Sequence, residues 1–490
     1  MKRIAFAMAV IGAACALAVP SAARAAPGPG LQQTAPAAAG PAVGQGADAP
    51  ASVELDVAGR FRGLVGLVLL LVAAWAMSTD RRRIPTRVVG WGLALQFLFA
   101  VIILRTPVGA GVFSALNDVF VALLGFTLEG ARFVFGDLVW NNVPVGQGSP
   151  GNGLFEPSAG MVARTGGFFA FNVLPTIIFF SSLMTLLYHL GIMQRAVAGI
   201  AWVMQRTMKT SGAETLSAAG NIFVGQTEAP LLVKPFIDGM TRSELMAVMT
   251  GGFATVAGGV LAAYVGMLVA YFPDIAGHLM AASVMSAPAA LVVAKLMLPE
   301  TEQAETAGSL RVVVDRPDVN VIEAASRGAG EGLHLALNVG AMLLAFLALI
   351  AMANALLGWA GGLAGMEGWS LEAALGAILA PVAWIMGVPW SDAPLVGSLM
   401  GLKTVATEFV AYLGLADHLA GGAPLSGRSL VIATYALSGF ANFSSIAIQI
   451  GGIGGIAPSR RRDLSLLGLR AMIGGSIAAF MTAAIAGVVV

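Results

Sequence analysis

Charge is scarce in this 490-residue sequence: Asp, Glu, Lys and Arg together make up 11%, against 57% hydrophobic residues. A soluble globular chain carries about 25% charged residues, so most of this chain is not built to face water. The net charge is only +1, which excludes the global field of a nucleic-acid-binding protein. Cys15 is the single cysteine. It falls in a segment read below as a removable leader, so the mature chain has no disulfide and no thiol chemistry. The four histidines, His189, His278, His334 and His418, are dispersed and lack metal-ligand spacing. No glycine-rich loop ends in Lys-Ser/Thr, which speaks against ATP-driven work by this chain. Gly251-Gly252 and Gly451-Gly452-Ile453-Gly454-Gly455 read better as helix packing or helix breaks than as nucleotide loops.

What is present is a series of apolar blocks of about 20 residues, each long enough to cross the hydrocarbon core as a helix. Before the first true span, Lys2 and Arg3, a short apolar run and Ala23-Arg24-Ala25 predict a signal peptide over 1–25. An uncleaved first anchor is the alternative. Residues 26–60, rich in Ala, Pro and Gly, predict a disordered periplasmic tail.

The placement of the basic residues orients the rest, because loops on the cytoplasmic side collect Lys and Arg. The first span, 61–77, runs into Arg81, Arg82, Arg83 and Arg87, so it passes from outside to inside, and 88–104 returns. The segment 112–135 carries Asp118, Glu129 and Arg132 and is expected to be an amphipathic helix lying at the interface. Residues 146–153 read as a plain turn region, and 61–166 as an N-terminal scaffold. Spans three to six are expected at 167–190, 245–271, 275–298 and 333–359, with 299–332 a cytoplasmic loop. Spans seven and eight are 429–450 and 467–490, which leaves both termini periplasmic in a bacterial inner membrane.

Two stretches are too polar for ordinary spans. Residues 216–237 contain Gln226, Thr227, Glu228 and Pro230, and basic residues on both sides, Lys209 and Arg242, place both ends inside. Residues 390–416 contain Asp392, Lys403 and Glu408 and enter from outside. Both are expected to be re-entrant hairpins, since irregular backbone at that depth needs protein or a watery cavity around it. The fold class is therefore an all-α polytopic membrane protein with eight transmembrane helices and two re-entrant hairpins. The halves 167–298 and 333–490 also match in order. Thr227-Glu228 corresponds to Thr407-Glu408, Gly252-Phe253-Ala254 to Gly439-Phe440-Ala441, and Asn172-Val173 to Asn338-Val339. Charge placement gives the halves opposite orientation. An inverted repeat with interrupted segments in corresponding places points to a secondary transporter with a site near the midplane.

A carboxylate at that depth costs several kcal/mol on most estimates, which singles out Glu228 and Glu408. Each could also simply pin its own hairpin. Gln226 and Thr227 add an amide and a hydroxyl. Asn442, Ser444 and Ser445 add a polar cluster to an apolar span, with Asn442 and Ser445 on one helix face. A ligand with several hydroxyls and ring nitrogens would complement this set.

At these residues the sequence resembles the concentrative nucleoside transporter family. The resemblance rests on Gly220-Asn221-Ile222-Phe223-Val224-Gly225-Gln226-Thr227-Glu228-Ala229-Pro230, Met249-Thr250-Gly251-Gly252-Phe253-Ala254 and Ser286-Ala287-Pro288-Ala289. It rests equally on Glu408-Phe409-Val410-Ala411-Tyr412 and Gly439-Phe440-Ala441-Asn442-Phe443-Ser444-Ser445. It covers about 60–490 and is similar to the bacterial branch. It implies a homotrimer in which a transport domain moves against a scaffold. It implies that Gln226, Thr227, Glu228 and Val260 face a nucleobase, with Phe440 as an apolar wall, and that Glu408, Asn442 and Ser445 hold the ribose hydroxyls. It further implies sodium as coupling ion, held by Asn221, Val224, Thr255 and Val256. The expected activity is sodium-coupled uptake of nucleosides such as uridine, with no other cofactor. A proton-coupled symporter with the same substrate site is the nearest alternative. An intramembrane enzyme using Glu228 and Glu408 as acid and base lacks any metal or nucleophile to support it, and a non-transporting membrane scaffold is the plainest reading left.

Overall fold

The computed structural model describes residues 57–140, 142–148, 155–164, 169–308, 318–363, 365, 369–422 and 425–490. The expected signal peptide and nearly all of the expected periplasmic tail lie outside the described residues. Helix α1 begins at Val57 and runs to Ala76, a few residues ahead of the predicted start. Helices α2, Thr86–Arg105, and α3, Pro107–Phe135, follow. A β-hairpin then pairs Asn142–Gly148 with Phe155–Arg164, antiparallel, where the sequence reading saw only a turn region.

From here the chain repeats itself element for element. The first half consists of α4, Leu174–His189, and α5, Ile192–Met208, then α6, Gly212–Gly220, which breaks into a 3-10 turn at Ala229–Phe236. It continues with α7, Arg242–Ala254, interrupted before α8, Gly258–Leu268, and closes with the long α9, Ile275–Met297. The second half consists of α10, Val321–Leu363, and α11, Leu371–Ile385, then α12, Ala393–Val405, breaking into α13, Glu408–Ala420. It continues with α14, Gly427–Leu437, interrupted before α15, Phe443–Ile456, and closes with α16, Arg461–Val489. The two segments expected to be hairpins hold α6 and α12, and each is broken beside its Thr-Glu pair.

Local chemistry sets these boundaries. Ser211 and Glu214 form a reciprocal capping box that starts α6, and Thr241 and Glu244 do the same for α7. Thr407 caps α13 through the Val410 amide, and Asn442 caps α15 through the Ser445 amide. In the second half, the residues that open the new helix after each break, Thr407 and Asn442, are thus polar residues placed in apolar sequence, whereas α8 opens at Ala257 without a side-chain cap.

Among the described residues eight helical stretches are long and apolar enough to cross a membrane. The number agrees with the sequence reading; the membership does not. Asn117–Val139, where an interfacial helix is expected, qualifies by length and composition with its four charged residues, Asp118, Glu129, Arg132 and Asp137. The predicted seventh span consists of two short helices, α14 and α15, separated at 438–442, as Arg242–Leu268 consists of α7 and α8 separated at 255–257. Three spans form the centre. The apolar windows of Arg242–Leu268, Ile275–Met297 and Pro458–Val489 are 94, 89 and 83% buried, against 11–33% for the other five. Lipid is as apolar as the interior, so such helices associate through close packing of small residues rather than through hydrophobic burial. Gly475 of α16 shows the need: a Cβ there would lie 2.3 Å from the Phe253 Cβ of α7.

Candidate functional site

Both broken segments and both interrupted helices meet at one place. Glu408 opens α13 and is 5% exposed. Its Oε1 accepts a hydrogen bond from the Tyr264 hydroxyl at 2.9 Å, and its Oε2 accepts one from Asn442 Nδ2 at 2.9 Å. Asn442 Oδ1 accepts from the Ser445 amide at 2.9 Å and from the Ser444 hydroxyl at 2.7 Å. Ser445 Oγ accepts from Gln226 Nε2 at 3.1 Å, and Gln226 Oε1 accepts from Gln449 Nε2 at 3.0 Å. A continuous polar chain therefore runs from Glu408 in the second broken segment to Gln226 in the first. Buried amides and hydroxyls are expensive unless satisfied, and this network satisfies them largely by pairing the two halves.

Glu228 lies two residues beyond Gln226. Its Oε2 accepts from the Gly225 amide at 2.8 Å, closing the turn of its own segment, yet its side chain stays exposed. The contact pins the turn without burying the side chain. Thr227 and Phe440 are half-buried, and Val260 is buried in the same apolar cluster that Phe440 packs against. The structure thus places Gln226, Asn442, Ser445 and Glu408 in one network, with Thr227, Glu228, Val260 and Phe440 around its edge.

The residues expected to hold an ion also converge. Asn221 caps the end of α6 and is fully buried; its Nδ2 donates to the Ser217 carbonyl at 3.1 Å, and its Oδ1 has no hydrogen-bond partner. Asn221 packs against Gly251, where a Cβ would come within 3.3 Å of its Nδ2, one turn before Thr255 at the end of α7. The Gly258 amide donates to the Phe223 carbonyl at 3.1 Å, which fastens the turn containing Val224 to the interruption at Thr255 and Val256. Thr255 Oγ1 donates to the Gly251 carbonyl at 2.9 Å, which leaves its lone pairs free. An orphaned amide oxygen beside a hydroxyl and the carbonyl end of a half-helix is a donor set suited to a hard monovalent cation, as the carbonyl end of a helix carries negative partial charge.

Two members of this network were not singled out from the sequence: Gln449 and Tyr264. Both had a signal. Gln449 lies seven residues after Asn442 and four after Ser445, on the same face of α15. Tyr264 lies four residues after Val260 on α8. In each case the partner across the fold, Gln226 or Glu408, is what makes the residue part of the site.

Three family models match the chain: "Na+ dependent nucleoside transporter N-terminus" over 65–138, "Nucleoside recognition" over 170–271 and "Na+ dependent nucleoside transporter C-terminus" over 278–487. The chain is 42% identical over 452 residues to "Sodium/nucleoside cotransporter 1" of Rattus norvegicus, covering 89% of this chain and 65% of that protein. It is 44% identical over 428 residues to YutK of Bacillus subtilis, described as an uncharacterized transporter, covering 87% of this chain and 98% of YutK. It therefore spans less than two thirds of the vertebrate relatives, 65% of the rat protein and 62% of a solute carrier family 28 member 3 of Eptatretus stoutii. Among solved structures, CNTnw in an inward-facing substrate-bound state superposes with a TM-score of 0.76 at 42% identity, covering 88% of this chain and 98% of that one.

Proposed function

This chain belongs to the concentrative, Na+-dependent nucleoside transporter family, and from that premise we propose that it carries nucleosides inward across a bacterial inner membrane in symport with sodium. Members of the family are multi-pass membrane transporters and not enzymes. The observation that carries the proposal is the hydrogen-bonded chain from Glu408 through Asn442 and Ser445 to Gln226, with the open carboxylate of Glu228 beside it. A vicinal pair of ribose hydroxyls can donate to a carboxylate and to an amide oxygen, which Glu408 and Asn442 offer. A nucleobase edge presents alternating donors and acceptors, which Gln226, Thr227 and Glu228 match, while Val260 and Phe440 supply apolar faces. Purine and pyrimidine nucleosides share these features, and uridine is the simplest probe.

Coupling follows from where the ion set lies. Asn221, Val224, Thr255 and Val256 surround the turn that ends in Gln226, Thr227 and Glu228. A cation seated there holds that turn and the interruption after α7 in one arrangement, and so forms the base-binding edge before the nucleoside arrives. A ligand shifts an equilibrium only through its different affinity for the two states, and the ion and the nucleoside must raise each other's affinity by the same factor. In this reading the two broken segments are re-entrant hairpins of an inverted repeat, and they travel with the buried helices against the 61–166 scaffold within a homotrimer. Both termini lie in the periplasm.

Uptake of labelled uridine into proteoliposomes, with sodium and pH gradients imposed independently, tests the proposal. Uptake should follow an inward sodium gradient at equal pH and should fall on the order of tenfold or more in Glu408→Gln, which loses a charge-assisted acceptor. Uptake that ignores sodium and follows an imposed pH gradient would make the ion a proton. Normal transport by Glu408→Gln would remove Glu408 from the substrate site.

A further inference from the structure

Lys403 is fully buried in the last turn of α12 and belongs to none of the roles described so far. Its Nζ donates to the Ala436 carbonyl at 2.8 Å and lies 5.8 Å from the Phe480 ring. Among the described residues no carboxylate forms an ion pair with it, in contrast to Lys295, whose ammonium meets Glu214 at 2.7 Å. An ammonium removed from water without a partner is costly, so its surroundings must account for it. Two features do. First, α12 ends at Val405 and α13 begins at Glu408, so Lys403 and Glu408 flank one short break and both side chains are buried. Second, the Ala436 carbonyl lies at the end of α14, where negative partial charge accumulates. That carbonyl would ordinarily accept from the amide of residue 440, but the Phe440 amide instead donates to the Thr255 carbonyl at 3.3 Å.

The repeat gives this arrangement a meaning. In the first half, the carbonyl end of α7 faces Asn221 and the place of the exchangeable cation. In the second half, the carbonyl end of α14 faces a cation tied to the chain. We propose that Lys403 is a built-in counter-cation that keeps Glu408 charged and aimed at the ribose hydroxyls, so that the sugar side of the site is held by an internal ammonium while the base side is held by the exchangeable ion. Lys403 is a positioning residue: it acts on the nucleoside through Glu408. The proposal rests on the reading of Glu408 as the ribose acceptor, and its test separates the two.

The first measurement uses no nucleoside. Thermal unfolding of the purified full-length protein in detergent is compared for wild type, Lys403→Met, Glu408→Gln and the double variant. Each single change strands one buried charge, so the double variant should unfold at a higher temperature than either single variant. Additive losses overturn the proposal. The second measurement is uridine affinity and sodium half-saturation. Lys403→Met should weaken uridine binding on the order of tenfold with sodium half-saturation unchanged, and Lys403→Arg should restore most of it. Wild-type uridine affinity in Lys403→Met, or equal losses for uridine and sodium that Lys403→Arg does not repair, overturns it. Should Lys403→Met fail to fold, the recovery of folding by the double variant still decides the pairing. If the pairing stands but Glu408→Gln binds uridine normally, the ribose assignment is what fails.

Discussion

The Phe440 amide donates to the Thr255 carbonyl across 3.3 Å, so the interruption in the second half rests directly on the interruption in the first. Thr255 belongs to the proposed ion set, and Phe440 stands two residues before Asn442, which holds Glu408. The proposed ion set and the proposed ribose set are therefore linked through one backbone hydrogen bond. Any ligand that orders one interruption alters the setting of the other, which is the physical requirement for linked binding.

Gly439 makes that contact possible. Its φ is +133°, and a Cβ would lie 2.8 Å from the Phe253 carbonyl oxygen and 3.0 Å from that of Ala254. Gly439→Ala should destabilise the protein by about 1–3 kcal/mol from backbone strain alone, with the close contacts adding to it. A lowered unfolding temperature in detergent, together with weaker sodium-dependent uridine uptake, is the expected result. An unchanged unfolding temperature would mean the interruption relaxes without cost.

How much of this was legible beforehand divides along physical lines. Length and apolarity are properties of a single helix, so the spans around 61–104 and 245–298 could be read directly. The Thr-Glu pairs were legible because charge is rare in such segments. The interruption at 438–442 was not, although Gly439 and the capping residue Asn442 are both visible in the sequence; each is tolerated inside a span, and only the packing of Gly439 against Phe253 and Ala254 and the hydrogen bond from Asn442 to Glu408 make them a break. The α3 segment carries two signals at once, since Asp118, Glu129 and Arg132 suit an interfacial helix while its apolar length suffices to cross. Gln449 and Tyr264 were missed because their helical spacing to Ser445 and Val260 gains its meaning only from hydrogen-bonding partners more than a hundred residues away.

Gln449 fixes the amide of Gln226. Its Nε2 donates to Gln226 Oε1 at 3.0 Å and to the Met249 carbonyl at 3.1 Å, leaving Gln226 Nε2 to meet Ser445. Gln449→Leu removes that orientation while preserving bulk. A hydrogen bond of this kind is worth about 1 kcal/mol, so uridine affinity should fall about fivefold with sodium half-saturation unchanged. Isothermal titration of the purified variant checks this, and a shift in sodium dependence alone would place Gln449 with the ion.

Lys295 ties three elements together. Its ammonium pairs with Glu214 of α6 at 2.7 Å and Glu300 at 3.2 Å, and donates to Ser243 of α7 at 2.9 Å. Glu214 also caps α6 through the Ser211 amide at 2.8 Å. Lys295→Met leaves the Glu214 carboxylate buried without a counter-charge and should cost about 3–5 kcal/mol. Combining it with Glu214→Gln should recover part of that loss. Thermal unfolding of the single and double variants measures both, and equal unfolding temperatures for the two would show that the charge is solvated by some other route.

Asn221 offers the cleanest test of the ion set, because its effect is visible without transport. Its Oδ1 is buried and unpartnered, so an ion seated there gains a ligand at no cost in broken hydrogen bonds. A ligand that binds only the folded state stabilises it, by about 2.7 kcal/mol at a hundred times its dissociation constant. Sodium, compared with choline at equal ionic strength, should therefore raise the unfolding temperature of the wild-type protein. In Asn221→Ala that increment should vanish, and the sodium concentration for half-maximal uridine binding should rise on the order of tenfold, while the unfolding temperature in choline changes little. A sodium increment of wild-type size in Asn221→Ala would place the ion elsewhere and would break the proposed link between the turn at 221–228 and the interruption at Thr255.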